Sequence, residues 1–395
     1  MRYFLIAGEA SGDLHGSNLV LELKLQDPQA QFRFFGGDLM AAQAGVPPVK
    51  HYSEMAFMGF VRVLMNLRKI GRNMEQCKAD IVDFKPDVVI LIDFAGFNLR
   101  IAEFAKSLGL KTVFYISPKI WAWKQNRIKK IKKYIDKMLT ILPFETEFYA
   151  RFDYPVEYVG NPILDAIEEF RSDDNQTEAD FRKANSLTDK PIIGLLAGSR
   201  KQEVDFMLPV MIEVSRQFPE YQFVISGAPG LDRDYYTKVI GADCNIPIVF
   251  GQTYNLLKFS RAALVTSGTA TLETALFGVP EAVLYRISAP DFLYRIGRKL
   301  LKVKWISLAN LIVGREIIRE LVQMDCNPRT IANELRKILD DEQYDAEFQR
   351  NYAELRQRMG SAGASQRAAQ AVISLCRRNL TALCLQNAET AAKLC

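Results

Sequence analysis

Three short segments combine glycine, hydroxyl and charged residues at points where a β-forming run ends and an amphipathic run begins. The first is Gly8-Glu9-Ala10-Ser11-Gly12-Asp13. Glycines at such a turn let a ligand approach the backbone, and a helix N-terminus favours anions. Two acids in the same turn repel a pyrophosphate, and no Gly-x-Gly-x-x-Gly fingerprint is present. Glu9 is therefore read as facing a sugar hydroxyl; the alternative is a tight turn with Asp13 as helix cap. His15 stands close by and is one of only two histidines in the chain. The second segment is Leu195-Leu196-Ala197-Gly198-Ser199-Arg200. Gly198, Ser199 and Arg200 suit a diphosphate, with backbone donors and a bidentate cation. The third is Thr266-Ser267-Gly268-Thr269-Ala270-Thr271-Leu272-Glu273. The amides and hydroxyls of Ser267, Gly268 and Thr269 can cradle phosphate. Glu273, one helical turn after Thr269, can accept both hydroxyls of a ribose, or the segment is simply a capped helix start.

Two basic amphipathic stretches are of another kind. Residues 119–133 hold seven Lys or Arg and no acid, together with Trp121 and Trp123. Residues 292–305 interleave Arg295, Arg298, Lys299, Lys302 and Lys304 with apolar side chains. Such helices can lie on an anionic membrane, bind nucleic acid, or present a solvated face. Between residues 57 and 70, Met58, Phe60, Val61, Leu64 and Met65 belong to a run apolar on more than one stripe. Core packing accounts for part of such a helix; the rest could line a groove for acyl chains or touch lipid. Asp232-Arg233-Asp234 matches the Asp-x-Asp pattern of metal-dependent sugar transferases, but it follows a polar turn and reads as a solvated helix start. With two histidines and no carboxylate cluster, no metal site is expected.

These segments need elements to hold them, and the pattern supplies βα units. Strands are expected at Tyr3–Ala7, Phe32–Phe35, Val88–Ile92, Thr112–Ile116, Met138–Leu142 and Val156–Val159, with helices at Leu14–Lys24 and across Met58–Phe84. Gly160-Asn161-Pro162 and the polar stretch 171–190 interrupt the alternation. It restarts with strands at Ile192–Leu196, Gln222–Ile225, Ile248–Phe250, Ala262–Val265 and Ala282–Tyr285, and turns purely helical after Pro328. The reading is two Rossmann-like α/β domains in tandem, 1–165 and 166–345, followed by C-terminal helices, 346–395. Ligands of such sheets bind at strand C-terminal ends, so the cleft between the domains is the expected site.

The 395 residues, 49% of them hydrophobic and 25% charged, can bury a large core and exclude a disordered, collagenous or small disulfide protein. No run of roughly 18 apolar residues is present to span a membrane. Met1–Glu9 reaches an acid too soon for a signal peptide. The six cysteines are scattered without Cys-x-x-Cys spacing, as reduced cytosolic thiols would be. The net charge of +5 is mild.

Taken together, the segments resemble the lipid-A-disaccharide synthase family, inverting glycosyltransferases of the two-Rossmann GT-B type. The resemblance runs over nearly the whole chain: Ala7–Asp13, Ser117-Pro118-Lys119-Ile120-Trp121-Ala122-Trp123, Leu142-Pro143-Phe144-Glu145, Gly160-Asn161-Pro162, Gly198-Ser199-Arg200, Ser267–Glu273 and Ser307-Leu308-Ala309-Asn310-Leu311. It implies that a UDP-linked 2,3-diacylglucosamine donates its sugar to 2,3-diacylglucosamine 1-phosphate, giving a β-1′,6-linked disaccharide and UDP. It implies no cofactor and no nucleic-acid partner. It further implies UDP contacts at Gly198, Ser199, Arg200, Ser267, Gly268, Thr269, Glu273 and Asn310. Peripheral association with the cytoplasmic face of the inner membrane and its anionic lipid is implied as well. So is a homodimer, with C-terminal helices returning to the first domain or exchanged. A UDP-sugar epimerase shares the two-domain design, but needs neither the apolar 57–70 surface nor basic amphipathic helices. A lipid- or RNA-binding protein without activity would not need paired phosphate turns.

The chain departs from the family pattern at Asp93-Phe94-Ala95-Gly96-Phe97-Asn98, where Gly96 replaces the aspartate that is the usual candidate base. Ala197 and Ala309 replace usual prolines, and the tail after Asn379 is longer than usual. The base is then sought among Asp93, Glu9 and His15, in that order. Asp93 ends a central strand, although many such aspartates only cap a loop. A base must come within about 3 Å of the hydroxyl, directly or through one water.

Overall fold

The computed structural model describes residues 1–55, 67–241, 244–286 and 303–377. Its chain forms two parallel sheets, each belonging to its own compact unit. The first unit comprises Met1–Asp165 and the C-terminal residues from Ser361 on; the second is Ala166–Gly360.

The first sheet is built from β1 (Arg2–Ala7), β2 (Gln31–Gly36), β3 (Lys50–His51), β4 (Val88–Ile92), β5 (Lys111–Tyr115), β6 (Lys137–Thr140) and β7 (Glu157–Tyr158). Their order is β3-β2-β1-β4-β5-β6-β7. The second sheet uses β8 (Ile192–Leu196), β9 (Gln222–Gly227), β10 (Ile248–Phe250), β11 (Ser260–Thr266), β12 (Glu281–Tyr285) and β13 (Glu320–Val322). Its order is β10-β9-β8-β11-β12-β13. β4 and β8 are buried along their full length, as strands covered by helices on both faces must be. In both sheets the strand order reverses beside the first strand, between β1 and β4 and between β8 and β11. Parallel sheets bind ligands at such switch points.

The central strands and the restart near residue 190 are where the sequence placed them. β3 and β13 were not expected: at two and three residues they are too short to show a period of two. The first helix, Ala10–Gln26, begins four residues earlier than expected. Asp13 therefore lies inside it and is not its cap. Its carboxylate accepts from the amides of Gly37, Leu39 and Met40 and so anchors the start of the next helix, Asp38–Ala44. Of the helix expected across Met58–Phe84, the described part is Leu67–Phe84.

Helix Glu342–Met359 belongs to the second unit, and the chain re-enters the first at Ser361. There the helical residues 364–377 add Ala368, Ala369, Val372 and Ile373 to the core formed by Tyr3, Leu5, Val88 and Ile90. Asp165 accepts from the amides of Gly363 at 2.6 Å and Ala364 at 3.2 Å. The Arg367 guanidinium donates to the carbonyls of Val159, Ala362 and Ser361.

Candidate active site

At the switch point of the first sheet, β1 delivers Gly8 and Glu9, and β4 delivers Asp93 and Phe94. Asp93 and Phe94 both take φ of +45°, so the chain leaves the strand through two consecutive left-handed residues before helix Ala95–Ser107. That costly conformation is held by Asn98. Its buried amide donates to the carbonyls of Asp93 at 2.8 Å, Ile92 at 3.2 Å and Ile6 at 3.4 Å, stitching the ends of β4 and β1 together. The Phe94 ring lies over Gly8, where an added Cβ would stand 2.4 Å from it. Glycine is required there by close approach.

Burial raises the Asp93 carboxyl above the usual carboxylate range, and the Lys119 ammonium opposes that rise. Gly96 is exposed, and a Cβ built on it meets nothing within 4 Å. Packing does not demand a glycine where the family pattern has an aspartate. Glu9 is half-buried at the N-cap of its helix, with its carbonyl accepting from the Asp13 amide. The structure weakens the case for His15. Its Nδ1 is enclosed without a hydrogen-bond partner, and burial pushes its pKa down to about 4. A base with that pKa is poorly matched to neutral pH.

The second switch point carries the two phosphate-type turns. After β8, Gly198 takes φ of +112° and Arg200 is the N-cap of helix Lys201–Ser215. The Glu203 carboxylate already accepts from the amides of Ser199 at 2.9 Å and Arg200 at 3.2 Å. These donors, expected to face a diphosphate, are occupied from within. What the turn presents outward is the exposed Ser199 and the Arg200 side chain, the latter 65% exposed and 3.8 Å from Glu203. After β11, the Ser267 amide donates to the Leu284 carbonyl, so it is spent on the sheet. Gly268 and Thr269 remain exposed at the start of helix Thr269–Phe277. Glu273 is held by the Tyr254 hydroxyl at 2.8 Å, and burial raises its pKa. Asn310 does not fit a ligand contact. Its side-chain amide donates to Ile318 and Glu320, and its oxygen accepts from Ile317 and Ile318, which uses the full capacity of the group. It is a bracket for the loop before β13.

A residue without an assigned role in the sequence is Glu145. It is 1% exposed, and burial raises its pKa to about 7. Its carboxyl group accepts from the Ser117 hydroxyl, the Trp121 indole at 3.1 Å and the Leu142 amide at 3.0 Å. Two of the family-like segments are thus joined through one carboxyl group; their presence was visible in sequence, their contact was not. The same bonds correct the reading of Trp121 as a membrane-facing side chain. It is 8% exposed and packs edge-on against Phe144, because its N–H has a buried partner. Trp123 is 49% exposed, with the Lys124 ammonium 4.2 Å from the ring centre. Helix Ile128–Tyr134 buries Ile128 and Ile131; Lys130 pairs with Glu103 and Lys132 bonds the Phe152 carbonyl. Met58, Phe60, Val61, Leu64, Met65, Arg298, Lys299 and Lys302 lie outside the described residues.

Asp232 caps helix Arg233–Ile240 by accepting the Tyr235 amide at 2.7 Å, an ordinary helix start. No group of three or more His, Cys, Asp or Glu suited to a metal occurs among the described residues, and none of their helices is long and apolar enough to cross a membrane.

A family model described as lipid-A-disaccharide synthetase matches residues 3–374. The lipid-A-disaccharide synthase of Trichlorobacter lovleyi is 37% identical over 379 residues, covering 95% of this chain and 97% of that one. That of Myxococcus xanthus is 38% identical over 380 residues, with 95% and 97% covered. The chain belongs to the lipid-A-disaccharide synthase family. It is accordingly a glycosyltransferase, and the two sheets are those of the GT-B design. The UDP-GlcNAc 2-epimerase of Neisseria meningitidis, solved with UDP-GlcNAc bound, aligns with a TM-score of 0.66 over 95% of this chain and all of that one, at 13% identity. CalG4, the calicheamicin glycosyltransferase, aligns with a TM-score of 0.59 over 95% of this chain and 98% of its own, at 16% identity. At those identities the likeness is one of fold, so the epimerase reading gains no support beyond architecture.

Proposed function

We propose that this member of the lipid-A-disaccharide synthase family moves the sugar of a UDP-linked 2,3-diacylglucosamine onto the 6-hydroxyl of 2,3-diacylglucosamine 1-phosphate, with inversion. Asp93 takes the proton of the 6-hydroxyl. That oxygen attacks the anomeric carbon of the donor as the bond to the diphosphate breaks, and UDP leaves with the electron pair. The observation that carries this reading is the position of Asp93. It is a partly desolvated carboxyl group fixed by Asn98 at the switch point of a sheet in a chain of this family. Arg200 and the exposed start of helix Thr269–Phe277 would stabilise the departing UDP, with Glu273 toward the ribose. No metal is needed for this scheme. Glu9 would orient the acceptor sugar. The protein would work in the cytoplasm, reversibly bound to the anionic inner-membrane surface, which both diacylated substrates favour, and it could do so as a dimer.

The test is UDP release with donor alone and with donor plus acceptor. Release only when the acylated acceptor is present supports the transfer. Release without acceptor, or epimerised donor, overturns it.

A further inference from the structure

Between Thr112 and Trp121 every residue is buried except Lys119. The second half of that run is irregular chain beyond β5, and buried irregular chain needs partners for its polar groups. It finds them in Glu145, which binds Ser117 on one side of Lys119 and Trp121 on the other. The Tyr149 hydroxyl reaches the Pro118 carbonyl at 3.5 Å, and the Ala122 amide the Lys119 carbonyl at 3.2 Å. A loop tied down at this many points holds one cation outside it. β4 and β5 are neighbours in register, Leu91 opposite Phe114, so Asp93 and the loop leave the same edge of the sheet side by side. The Lys119 ammonium and, on its own segment, the Phe94 amide both act on the Asp93 carboxyl.

We propose that Lys119 is the electrostatic partner of Asp93, and that Glu145, which touches no substrate, is the positioning residue that holds Lys119 against it. The consequence for turnover rests on Asp93 being the base proposed above. Lys119 opposes the rise that burial imposes on that carboxyl group and so favours its ionised form. Glu145 acts at one remove, by fixing the loop.

The experiment follows the Asp93 carboxyl itself. Full-length protein labelled with carboxyl-13C aspartate is titrated by NMR, and the Asp93 signal is assigned by its loss in Asp93→Asn. Lys119→Met should move the Asp93 midpoint to higher pH, and Lys119→Arg should restore it. Glu145→Gln, which keeps the size of the side chain but sets an amide against the Leu142 donor, should move it in the same direction. The double variant Glu145→Gln/Lys119→Met should move it no further than Lys119→Met alone. If Glu145→Gln does not fold, Ser117→Ala removes one tie of the same loop and carries the same expectation. An unmoved midpoint in Lys119→Met overturns the pairing. Additive shifts in the double variant, or an unmoved midpoint in the loop variants, reduce Glu145 to a structural residue. Turnover of Asp93→Asn is measured separately. If it stays normal while the midpoints shift as expected, the base assignment falls and the charge pair stands. If it is lost while the midpoints do not move, the reverse holds.

Discussion

Glu203 accepts the backbone amide of Arg200 at 3.2 Å, so the turn after β8 arrives with its own carboxylate in the place where a phosphate would be sought. Recognition of a diphosphate there would fall to the exposed Ser199 and Arg200 side chains. A charge-assisted hydrogen bond contributes roughly 1.5–3 kcal/mol. Arg200→Ala should therefore lower turnover about 10- to 150-fold with an unchanged melting temperature. Near-normal kinetics would remove Arg200 from the site.

The base assignment has a sharper test than one substitution. Asp93→Asn should lower kcat by roughly 10²–10⁴-fold with UDP affinity intact. If instead Glu9→Gln abolishes turnover while Asp93→Asn stays within a few-fold of normal, Glu9 is the base. The open space beside Gly96 adds a third measurement. Gly96→Asp should fold normally, since nothing stands within 4 Å of its Cβ and an acid suits the first turn of helix Ala95–Ser107. In the Asp93→Asn background it should restore part of the lost turnover.

Gly8 and Phe94 are coupled by contact. Gly8→Ala puts a methyl group 2.4 Å from the ring and should destabilise the protein by roughly 1–3 kcal/mol in urea unfolding. Phe94→Ala in the same chain should recover part of that loss. Equal losses in the single and double variants would mean that the ring is not what excludes the methyl.

His15 gives the fold an acid sensitivity of known sign. Its folded pKa of about 4 lies below the ordinary 6.5, so the unfolded chain takes up a proton first as the pH falls. Stability is unaffected above about pH 6.5 and declines from there toward pH 4, by up to roughly 3 kcal/mol. His15→Gln should flatten the stability profile in that window and leave it unchanged at pH 8. An identical decline in both proteins would assign the sensitivity elsewhere.

Membrane association should be electrostatic. Each cation near an anionic surface contributes about 1 kcal/mol, and salt screens it. Vesicles with anionic lipid should release the protein as salt rises, and replacing Arg298, Lys299 and Lys302 by Glu should have the same effect. Binding indifferent to both would leave these residues as an ordinary solvated face.

The frame of the molecule was legible because buried strands such as Val88–Ile92 announce themselves by composition alone, and because small and charged residues cluster where such strands end. Those clusters turned out to flank both switch points. What each residue does there was less legible. Asn310 and Ser267 look like ligand contacts by type, yet the Asn310 side-chain amide is used on Glu320 and Ile318, and the Ser267 backbone amide on Leu284. Trp121 looks like an interfacial anchor until Glu145, 24 residues away, is seen to hold its N–H. Hydrogen-bond capacity is spent through space, and sequence spacing does not record on what.

The first core is closed by the last described helix. Ala368, Val372 and Ile373 complete the apolar cluster around Tyr3 and Leu5, which leave the ribosome more than 300 residues earlier. During synthesis the first unit must wait, incomplete, while the second is made entire. A chain stopped near residue 360 would thus lose the integrity of the domain made first, and that domain carries the proposed base.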